Sequence, residues 1–314
     1  MNVLVTGGTG FIGRNLVKQL HVDGFNMHCT VRKTSDTTFI DKFNITKHMC
    51  DIRDIGSLEK VFDEAKPEIV FHAAANVMAK EEKCLMDANV SGTKNICKMI
   101  IKHNVPKLIY LSSVSVVSGN SSPINDDMPY KASNAYGRSK IEAEKQVVEL
   151  RKRGVKVAIL RPCMVYGEDE PHALNNAFSL VLKRRLLLPK IEEIESLLQL
   201  VSVNNVVSAL KLCYTKEEAF SGTFIVADKE VLTIRKFIEI LYSEISGREP
   251  ICVPSWLVNF FRFIPYVDRK INQYFKDRTY DITRIENILG YDPKISTEDG
   301  LSRTIRDWKT KKGI

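Results

Sequence analysis

The stretch that most constrains the fold is residues 3–13, with the sequence VLVTGGTGFIG. A short apolar run ends in Thr-Gly-Gly, and apolar residues at helical spacing follow at once, which predicts a strand, a tight turn and a helix. Glycine permits backbone angles that other residues resist, and it lets a phosphate approach the main chain. The free N–H groups and positive end of the new helix then hold an anion. We therefore predict a dinucleotide-binding turn formed by Gly7, Gly10, Phe11, Ile12 and Gly13.

Strand and helix patterns alternate through roughly 165 residues, which predicts a doubly wound parallel sheet of the α/β class. The later strands of this region are expected at residues 26–31, 48–51, 68–75 and 107–113. The strand at 68–75 ends in three alanines, Ala73, Ala74 and Ala75. Small residues there leave space for a ligand, since open α/β sheets bind ligands outside the carboxyl ends of their strands.

Composition narrows the class of protein. With 314 residues, of which 44% are hydrophobic and 27% charged, the chain can bury a substantial core. It has no apolar run long enough to span a membrane and no room for a signal peptide before the first strand, so we expect a cytoplasmic protein. Its seven cysteines lack the spacing of zinc ligands, and its net charge of +8 is dispersed along the chain. We therefore expect neither a metal nor a nucleic-acid partner.

A basic residue ends the second predicted strand. About 20 residues past the glycines, an NAD site usually offers a carboxylate to the adenosine ribose 2′-hydroxyl, whereas an NADP site places a basic residue there. Arg32 stands 19 residues after Gly13, and no acidic residue is adjacent to it in the sequence. We therefore favour NADP(H) as the cofactor, with NAD(H) as the alternative.

The helix predicted at residues 134–145 carries groups suited to acid–base chemistry. Tyr136 and Lys140 are four residues apart, so their side chains lie on one helix face. A nearby ammonium group favours the phenolate, and we expect it to lower the pKa of Tyr136 from the usual value of about 10. Such a phenol can donate or accept a proton at a carbonyl or alcohol oxygen. Ser113, at the end of the fifth predicted strand, can hydrogen-bond the same oxygen.

Seven short motifs, in this order and spacing, resemble the extended short-chain dehydrogenases/reductases of the NAD-dependent epimerase/dehydratase superfamily. They are TGGTGFIG (6–13), DIRD (51–54), HAAA (72–75), NVSGTKN (89–95), YLSS (110–113), YGRSK (136–140) and RPCMVYG (161–167). The resemblance implies a catalytic set of Ser113, Tyr136 and Lys140, with Lys140 also holding the nicotinamide ribose. It further implies cofactor contacts from Asp51, Ile52, Ala73, Ala74, Ala75, Asn89, Tyr136, Pro162 and Val165, and it makes His72 part of the wall behind the cofactor.

The resemblance also implies the organisation of the rest of the chain. It predicts a Rossmann domain of residues 1–167 and 200–228, and a smaller, interleaved α/β substrate lobe of residues 168–199 and 229–314. Strands at 200–203 and 223–226 are expected to return to the sheet or its edge. Helices are expected at 234–245, 255–263, 282–289 and 301–309. A homodimer formed through the helices bearing Asn89 and Tyr136 is implied as well.

A fold does not fix a reaction, and three functions are open. We favour an NADPH-dependent reductase, or reversible dehydrogenase, of a small-molecule ketone or aldehyde; TVRK, from Thr30, resembles the dihydroflavonol-reductase-like branch. The alternative is a nucleotide-sugar 4-epimerase that retains NAD. Leu198 stands where such epimerases commonly have a diphosphate-binding arginine. Their Arg-Pro-Gly-Asp stretch before the last helices is also absent, although Arg278 is near its place, and Asn175 and Asn176 resemble epimerase asparagines. A non-catalytic NADP(H)-binding sensor is the minor alternative. Such a protein would normally lack part of the catalytic set, whereas all three residues are present here.

The most apolar part of the second lobe is residues 253–267, VPSWLVNFFRFIPYV. The residues that recur at helical spacing, and so give one wide apolar face, are Trp256, Leu257, Phe260, Phe261 and Ile264. The segment is too short to span a bilayer. We expect a packed helix whose exposed edge lines the substrate cleft, without stable membrane attachment.

Overall fold

The computed structural model describes residues 1–170, 173–183, 187–190, 196–254, 256, 260, 262–264 and 276–313. The chain forms two compact units. The first comprises Met1–Cys163, Val203–Val226 and Asp281–Asp292, and the second comprises Met164–Ser202, Ala227–Tyr280 and Pro293–Ile314. Residues 281–292 thus belong to the first unit, whereas the sequence predicts them in the substrate lobe.

The first unit is built on a seven-stranded sheet in which every pairing is parallel. Its strands are β1 (Asn2–Thr6), β2 (Asn26–Val31), β3 (Ile45–Met49), β4 (Ile69–His72), β5 (Lys107–Leu111), β6 (Lys156–Pro162) and β10 (Thr223–Val226). They lie in the order β10-β6-β5-β4-β1-β2-β3. The doubly wound parallel sheet predicted from the sequence is confirmed.

Strand β3 begins three residues earlier than the sequence predicts. It is an edge strand, and among its residues only His48 is buried. A strand with so little buried surface leaves a weak apolar pattern, and the sequence therefore predicts its start too late in the chain.

Helices cover the sheet of the first unit. They are α1 (Phe11–Val22), α2 (Ile55–Ala65), α3 (Glu82–Met86), α4 (Gly92–Lys102), α5 (Ala135–Lys152), α7 (Val203–Thr215) and α9 (Thr283–Leu289), with a π-helical turn at Asp87–Ser91 between α3 and α4. Helices α2, α4 and α5 present apolar residues at helical spacing to one face of the sheet. Phe62, Ile96 and Val147 from these helices pack in one core with Leu4 and Val70 from the strands.

Among its described residues, the second unit holds two small sheets and three helices. Its strands are β7 (Met164–Tyr166), β8 (Leu187–Lys190), β9 (Leu197–Ser202), β11 (Val231–Thr233) and β12 (Ile251–Pro254), and its helices are α6 (Ala173–Leu182), α8 (Ile234–Ser246) and α10 (Thr297–Lys312). The strand predicted at 200–203 is β9, which lies between β11 and β7 in a separate three-stranded sheet. Only the strand predicted at 223–226 joins the parallel sheet, as its edge strand β10.

The aromatic segment near residue 260 differs from the packed helix that the sequence predicts. Trp256, Phe260 and Phe263 are 67%, 62% and 70% exposed. Leu257 and Phe261, the other aromatic or leucine positions of that predicted face, lie outside the described residues. Among the helices that the structure describes, none has both the length and the apolar character needed to cross a membrane.

Candidate active site

The glycine turn after β1 lies against the loop that follows β4. Gly7 has a φ of +75°, and a Cβ atom there would stand 2.6 Å from the backbone nitrogen of Ala74. A Cβ atom on Gly13 would collide with the carbonyl oxygen of Gly7. Ala73 and Ala75 flank this contact directly after β4. Glycine is therefore required at both positions, because two backbone segments meet there at the carboxyl end of the sheet.

Helix α1 starts directly after this turn, at Phe11 and Ile12. Its N-cap is Gly10, which offers no side chain to the first N–H groups of the helix. A helix start without a capping side chain leaves its N–H donors for an anion. The turn therefore fits the pyrophosphate of a dinucleotide, and Gly7, Gly10, Phe11, Ile12 and Gly13 are the residues that would hold it.

The residues predicted for the adenosine end follow β2 and β3. The Arg53 guanidinium donates to both oxygens of Asp51, with Nη2 2.7 Å from Oδ2. This contact lowers the pKa of Asp51, and the charge of the exposed Arg32 side chain acts in the same direction. Arg32, which has no acidic neighbour in the sequence, thus lies near a carboxylate in the fold.

Beside Asp51, a groove of about 420 Å³ opens at the surface. It is lined by Asp51, Arg53, Asp54, Asp87 and Ser91. Ile52 lies against Gly92, where an added Cβ would come within 2.6 Å of the isoleucine side chain. Asp51 thus lies at the edge of a groove and Ile52 packs beside it against Gly92, and the adenine site there stays a prediction.

Asn89 lies in the π-helical turn and joins two parts of the site. Its amide nitrogen donates to the carbonyl oxygen of Asn76 and to Ser139 Oγ, each at 2.9 Å, and its Oδ1 accepts from the Asn76 N–H at 2.7 Å. Ser139 Oγ in turn donates to the carbonyl oxygen of Tyr136. Both amide hydrogens of Asn89 are thus used within the protein, and they tie the loop after β4 to the helix that bears Tyr136. A π turn often marks such a functional position.

Ser113 and Tyr136 meet at the carboxyl end of β5. Ser113 is the N-cap of a short 3-10 turn, where its Oγ accepts from the Ser115 N–H at 3.1 Å. The Ser113 hydroxyl also lies close to the Tyr136 phenol, where it favours the phenolate. Gly137 makes this approach possible, because a Cβ there would lie 2.5 Å from the carbonyl oxygen of Ser115. The start of α5 is fixed by Asn134, whose Oδ1 accepts from the Gly137 N–H at 2.7 Å.

Lys140 lies one helical turn after Tyr136 and is buried. Its ammonium group donates to the carbonyl oxygen of Leu111 at 2.9 Å and lies 4.2 Å from the centre of the Tyr110 ring. Burial lowers the pKa of Lys140 to about 7. His72 lies nearby on β4, where burial lowers its pKa to about 3, and it is hydrogen-bonded to Thr6 and Thr93 on either side of its ring. His72 is thus neutral and hydrogen-bonded at both ring nitrogens, and its place in the wall behind the cofactor stays a prediction.

The expected direction of the tyrosine pKa shift is wrong. Burial raises the pKa of Tyr136 to about 12, and the nearby Ser113 hydroxyl opposes this only in part. A lowered pKa requires a fully cationic lysine one turn away, whereas Lys140 is itself desolvated. In the free protein the phenol is therefore protonated at neutral pH and can act as a proton donor.

The sequence profile of the NAD dependent epimerase/dehydratase family matches residues 3–227. The chain belongs to this family. Among curated relatives, the decarboxylating sterol-4-alpha-carboxylate 3-dehydrogenase of Schizosaccharomyces pombe is 25% identical over 99% of this chain and 99% of its own length. The UDP-glucose 4-epimerase of Vibrio cholerae is 26% identical over 96% of this chain and 94% of its own length.

Solved structures agree with this assignment. The UDP-glucose 4-epimerase of Thermotoga maritima, crystallised with UDP-glucose, superposes with a TM-score of 0.80 at 25% identity, covering 99% of both chains. The chain is thus an enzyme of the extended short-chain dehydrogenase/reductase type, from a family that binds NAD(P) and acts on small molecules.

Two further residues implied by the family resemblance lie near the end of β6. Pro162 is the last residue of β6 and pairs with Val226 of β10 in the first unit. Val165 belongs to β7, in the second unit, where it pairs with Val201 of β9. Asn175 and Asn176 resemble epimerase residues, but the structure does not describe their side chains.

Sequence reasoning missed several residues that shape this family site. Gly137 lies within the YGRSK motif, and its glycine is the signal of the close approach to Ser115. Glu144 follows Lys140 by four residues, and it forms a buried ion pair with Arg161 of β6. Their buried positions could have been inferred from the helical face and from the strand pattern, but their pairing depends on contacts between distant segments.

Proposed function

We propose that this enzyme is an NADP(H)-dependent oxidoreductase that interconverts a ketone or aldehyde and an alcohol, with Tyr136 as the acid–base group. The observation that carries the proposal is the closeness of the Ser113 hydroxyl to the Tyr136 phenol, with Lys140 buried one turn further on. Two hydroxyl groups that meet in this way can both reach the oxygen of one substrate carbonyl.

In the direction of reduction, a bound NADPH would supply a hydride to the carbonyl carbon. The Ser113 hydroxyl polarises the carbonyl by donating a hydrogen bond to its oxygen. Tyr136, protonated at neutral pH, transfers its phenolic proton to that oxygen as charge develops on it. Lys140, when charged, stabilises the resulting phenolate and keeps one N–H on the Leu111 carbonyl. In the direction of oxidation the same groups act in reverse.

The preference for NADP(H) rests on Arg32. Its side chain is exposed at the end of β2, where a guanidinium can pair with a ribose 2′-phosphate. The residues that would hold the rest of the cofactor are those of the glycine turn, Asp51, Ile52, Ala73–Ala75, Asn89, Lys140, Pro162 and Val165. NAD(H) is the alternative. Asp51 is close enough to Arg32 for the two charges to interact, so the Arg32 charge is not available to a 2′-phosphate alone.

An apolar substrate is favoured by Leu198. It is a buried residue of β9 at the position where sugar epimerases commonly carry a diphosphate-binding arginine. A nucleotide diphosphate would lose a bidentate partner there. The similarity to a sterol dehydrogenase along almost the whole chain supports the same conclusion.

A nucleotide-sugar 4-epimerase is the second candidate, and one observation favours it. Arg278 pairs alongside Leu198, with its N–H 2.8 Å from the Leu197 carbonyl oxygen and its own carbonyl accepting from the Gln199 N–H at 2.9 Å. An arginine thus lies on the neighbouring segment even though Leu198 is apolar. The similarity to UDP-glucose 4-epimerases supports this candidate equally well at the level of the family.

One experiment separates the two candidates. The purified enzyme is supplied with NADPH or NADH and a panel of apolar cyclic ketones, and separately with UDP-glucose and no added cofactor. We expect oxidation of NADPH with a ketone, and no formation of UDP-galactose. Interconversion of the UDP-sugars with a cofactor retained from purification would establish the epimerase instead.

We also propose a homodimer formed through α4 and α5, which light scattering of the same preparation tests.

A further inference from the structure

A buried carboxylate lies directly behind the catalytic lysine. Glu144 is one helical turn after Lys140 on α5, and its side chain is fully buried. Its carboxylate accepts hydrogen bonds from Tyr130 Oη at 2.9 Å, from the Arg161 guanidinium, and from Ser112 Oγ. Burying such an ion pair costs free energy, and apolar residues of similar size often replace one without loss of stability. Packing alone therefore does not explain why Glu144 and Arg161 are buried as an ion pair.

The groups around Lys140 leave Glu144 as the negative charge that acts on it. His72, from β4, is neutral because burial lowers its pKa to about 3. Tyr110, from β5, is neutral because burial raises its pKa well above the usual value, and Tyr136 is neutral for the same reason. Burial lowers the pKa of Lys140, and the charge of Glu144 raises it. Arg161, on β6, approaches Glu144 from the strand side.

We propose that Glu144 is a positioning residue: pinned by Arg161, it sustains the positive charge of Lys140 during catalysis and, through Ser112, holds the turn that bears Ser113. This inference rests on the proposed function, in which a charged Lys140 stabilises the Tyr136 phenolate. Arg161 then opposes the effect of Glu144 on the charge of Lys140, because its guanidinium is paired with the same carboxylate. Removing either member of the pair should change the lysine's protonation in opposite directions.

The pH profile of kcat/KM for NADPH-dependent reduction tests the proposal. Loss of activity at alkaline pH reports deprotonation of Lys140. In Glu144→Gln we expect this alkaline limb to move to lower pH by about one unit, the size of shift that loss of a nearby opposite charge produces. In Arg161→Gln, where the carboxylate is left uncompensated, the limb should move to higher pH.

Tyr130→Phe is the matched control. It removes one hydrogen bond from the Glu144 carboxylate but no charge, so its alkaline limb should coincide with that of the wild type. Should both single variants fail to fold, the double variant Glu144→Gln/Arg161→Gln decides the question. Its limb should lie at lower pH than that of the wild type, by less than about one unit, because the loss of the Arg161 charge offsets part of the loss of the Glu144 charge. Lower kcat with an unmoved alkaline limb would show a purely structural role and overturn the proposal.

A second measurement needs no turnover. The pH dependence of unfolding is compared between each protein and the same protein carrying Lys140→Met. The pH at which the difference in unfolding free energy begins to change reports the pKa of Lys140 in the folded protein. We expect this onset to lie at lower pH in Glu144→Gln than in the wild type, and an unchanged onset would refute the charge effect. A wild type that turns over no ketone and yet shows the shifted onset in Glu144→Gln would refute the proposed function and not the influence of Glu144 on Lys140.

Discussion

Replacing Lys140 with methionine should remove a pH-dependent part of the folding free energy. In the folded protein, burial lowers the lysine pKa from 10.5 to about 7. Between these two values the unfolded chain binds the proton more tightly than the folded one. Stability rises with pH wherever the unfolded state binds more protons, so this lysine makes the wild type more stable as the pH rises from about 7 towards 10.5.

The magnitude follows from the two pKa values. One pKa unit corresponds to about 1.36 kcal/mol, so the protonation cost is about 4 kcal/mol near pH 7 and about 2 kcal/mol near pH 9. Lys140→Met carries none of this cost. The difference in unfolding free energy between the two proteins should therefore change by about 2 kcal/mol, in favour of the wild type, between about pH 7 and about pH 9. The hydrogen bond lost at Leu111 adds an offset that does not vary with pH.

Urea unfolding followed by far-ultraviolet circular dichroism is the suitable assay. Both tryptophans, Trp256 and Trp308, belong to the second unit, so their fluorescence would not report on the unit that contains Lys140. Lys145→Met is the matched control, because Lys145 lies on the same helix, is exposed and pairs with Glu142 at 2.7 Å. Its stability should follow the wild type at every pH. Parallel curves for the wild type and Lys140→Met would refute the burial argument.

Two further predictions concern the cofactor and the exposed aromatic residues. Arg32→Asp should weaken NADPH binding by about tenfold or more and move the preference towards NADH, because a phosphate partner is replaced by a hydroxyl partner; tighter binding of NAD than NADP by the wild type in a titration would contradict this role. Phe263→Ser should change the unfolding free energy by no more than about 0.5 kcal/mol, because the ring is 70% exposed. A large loss of thermal stability in that variant would show that the ring packs in a core.

The parts of the site that local sequence could predict are those built within a few residues. The glycine turn and the Tyr136–Lys140 spacing lie within single motifs, and the structure has the turn and the helix at those places. The parallel sheet followed from the alternation of strands and helices, because that alternation is itself the connectivity of the fold.

The remaining features depend on contacts between distant segments. Asn89 and Ser139 are 50 residues apart, and no local pattern reveals their hydrogen bond. The shift of the Tyr136 pKa was expected in the wrong direction because spacing shows which residues are neighbours but not how completely they are desolvated. Strand β9 was expected at the main sheet because a short apolar run fits any sheet, and its partners β7 and β11 are chosen by the tertiary fold.

The central claim is that the Tyr136 phenol transfers the proton while other residues hold the cofactor. Tyr136→Phe removes only that hydroxyl, and its most direct test compares ketone reduction with NADPH binding in the same purified preparation. We expect turnover to fall by about a hundredfold or more, with the dissociation constant for NADPH changed by less than about threefold. Turnover close to that of the wild type in the folded variant would contradict the mechanism.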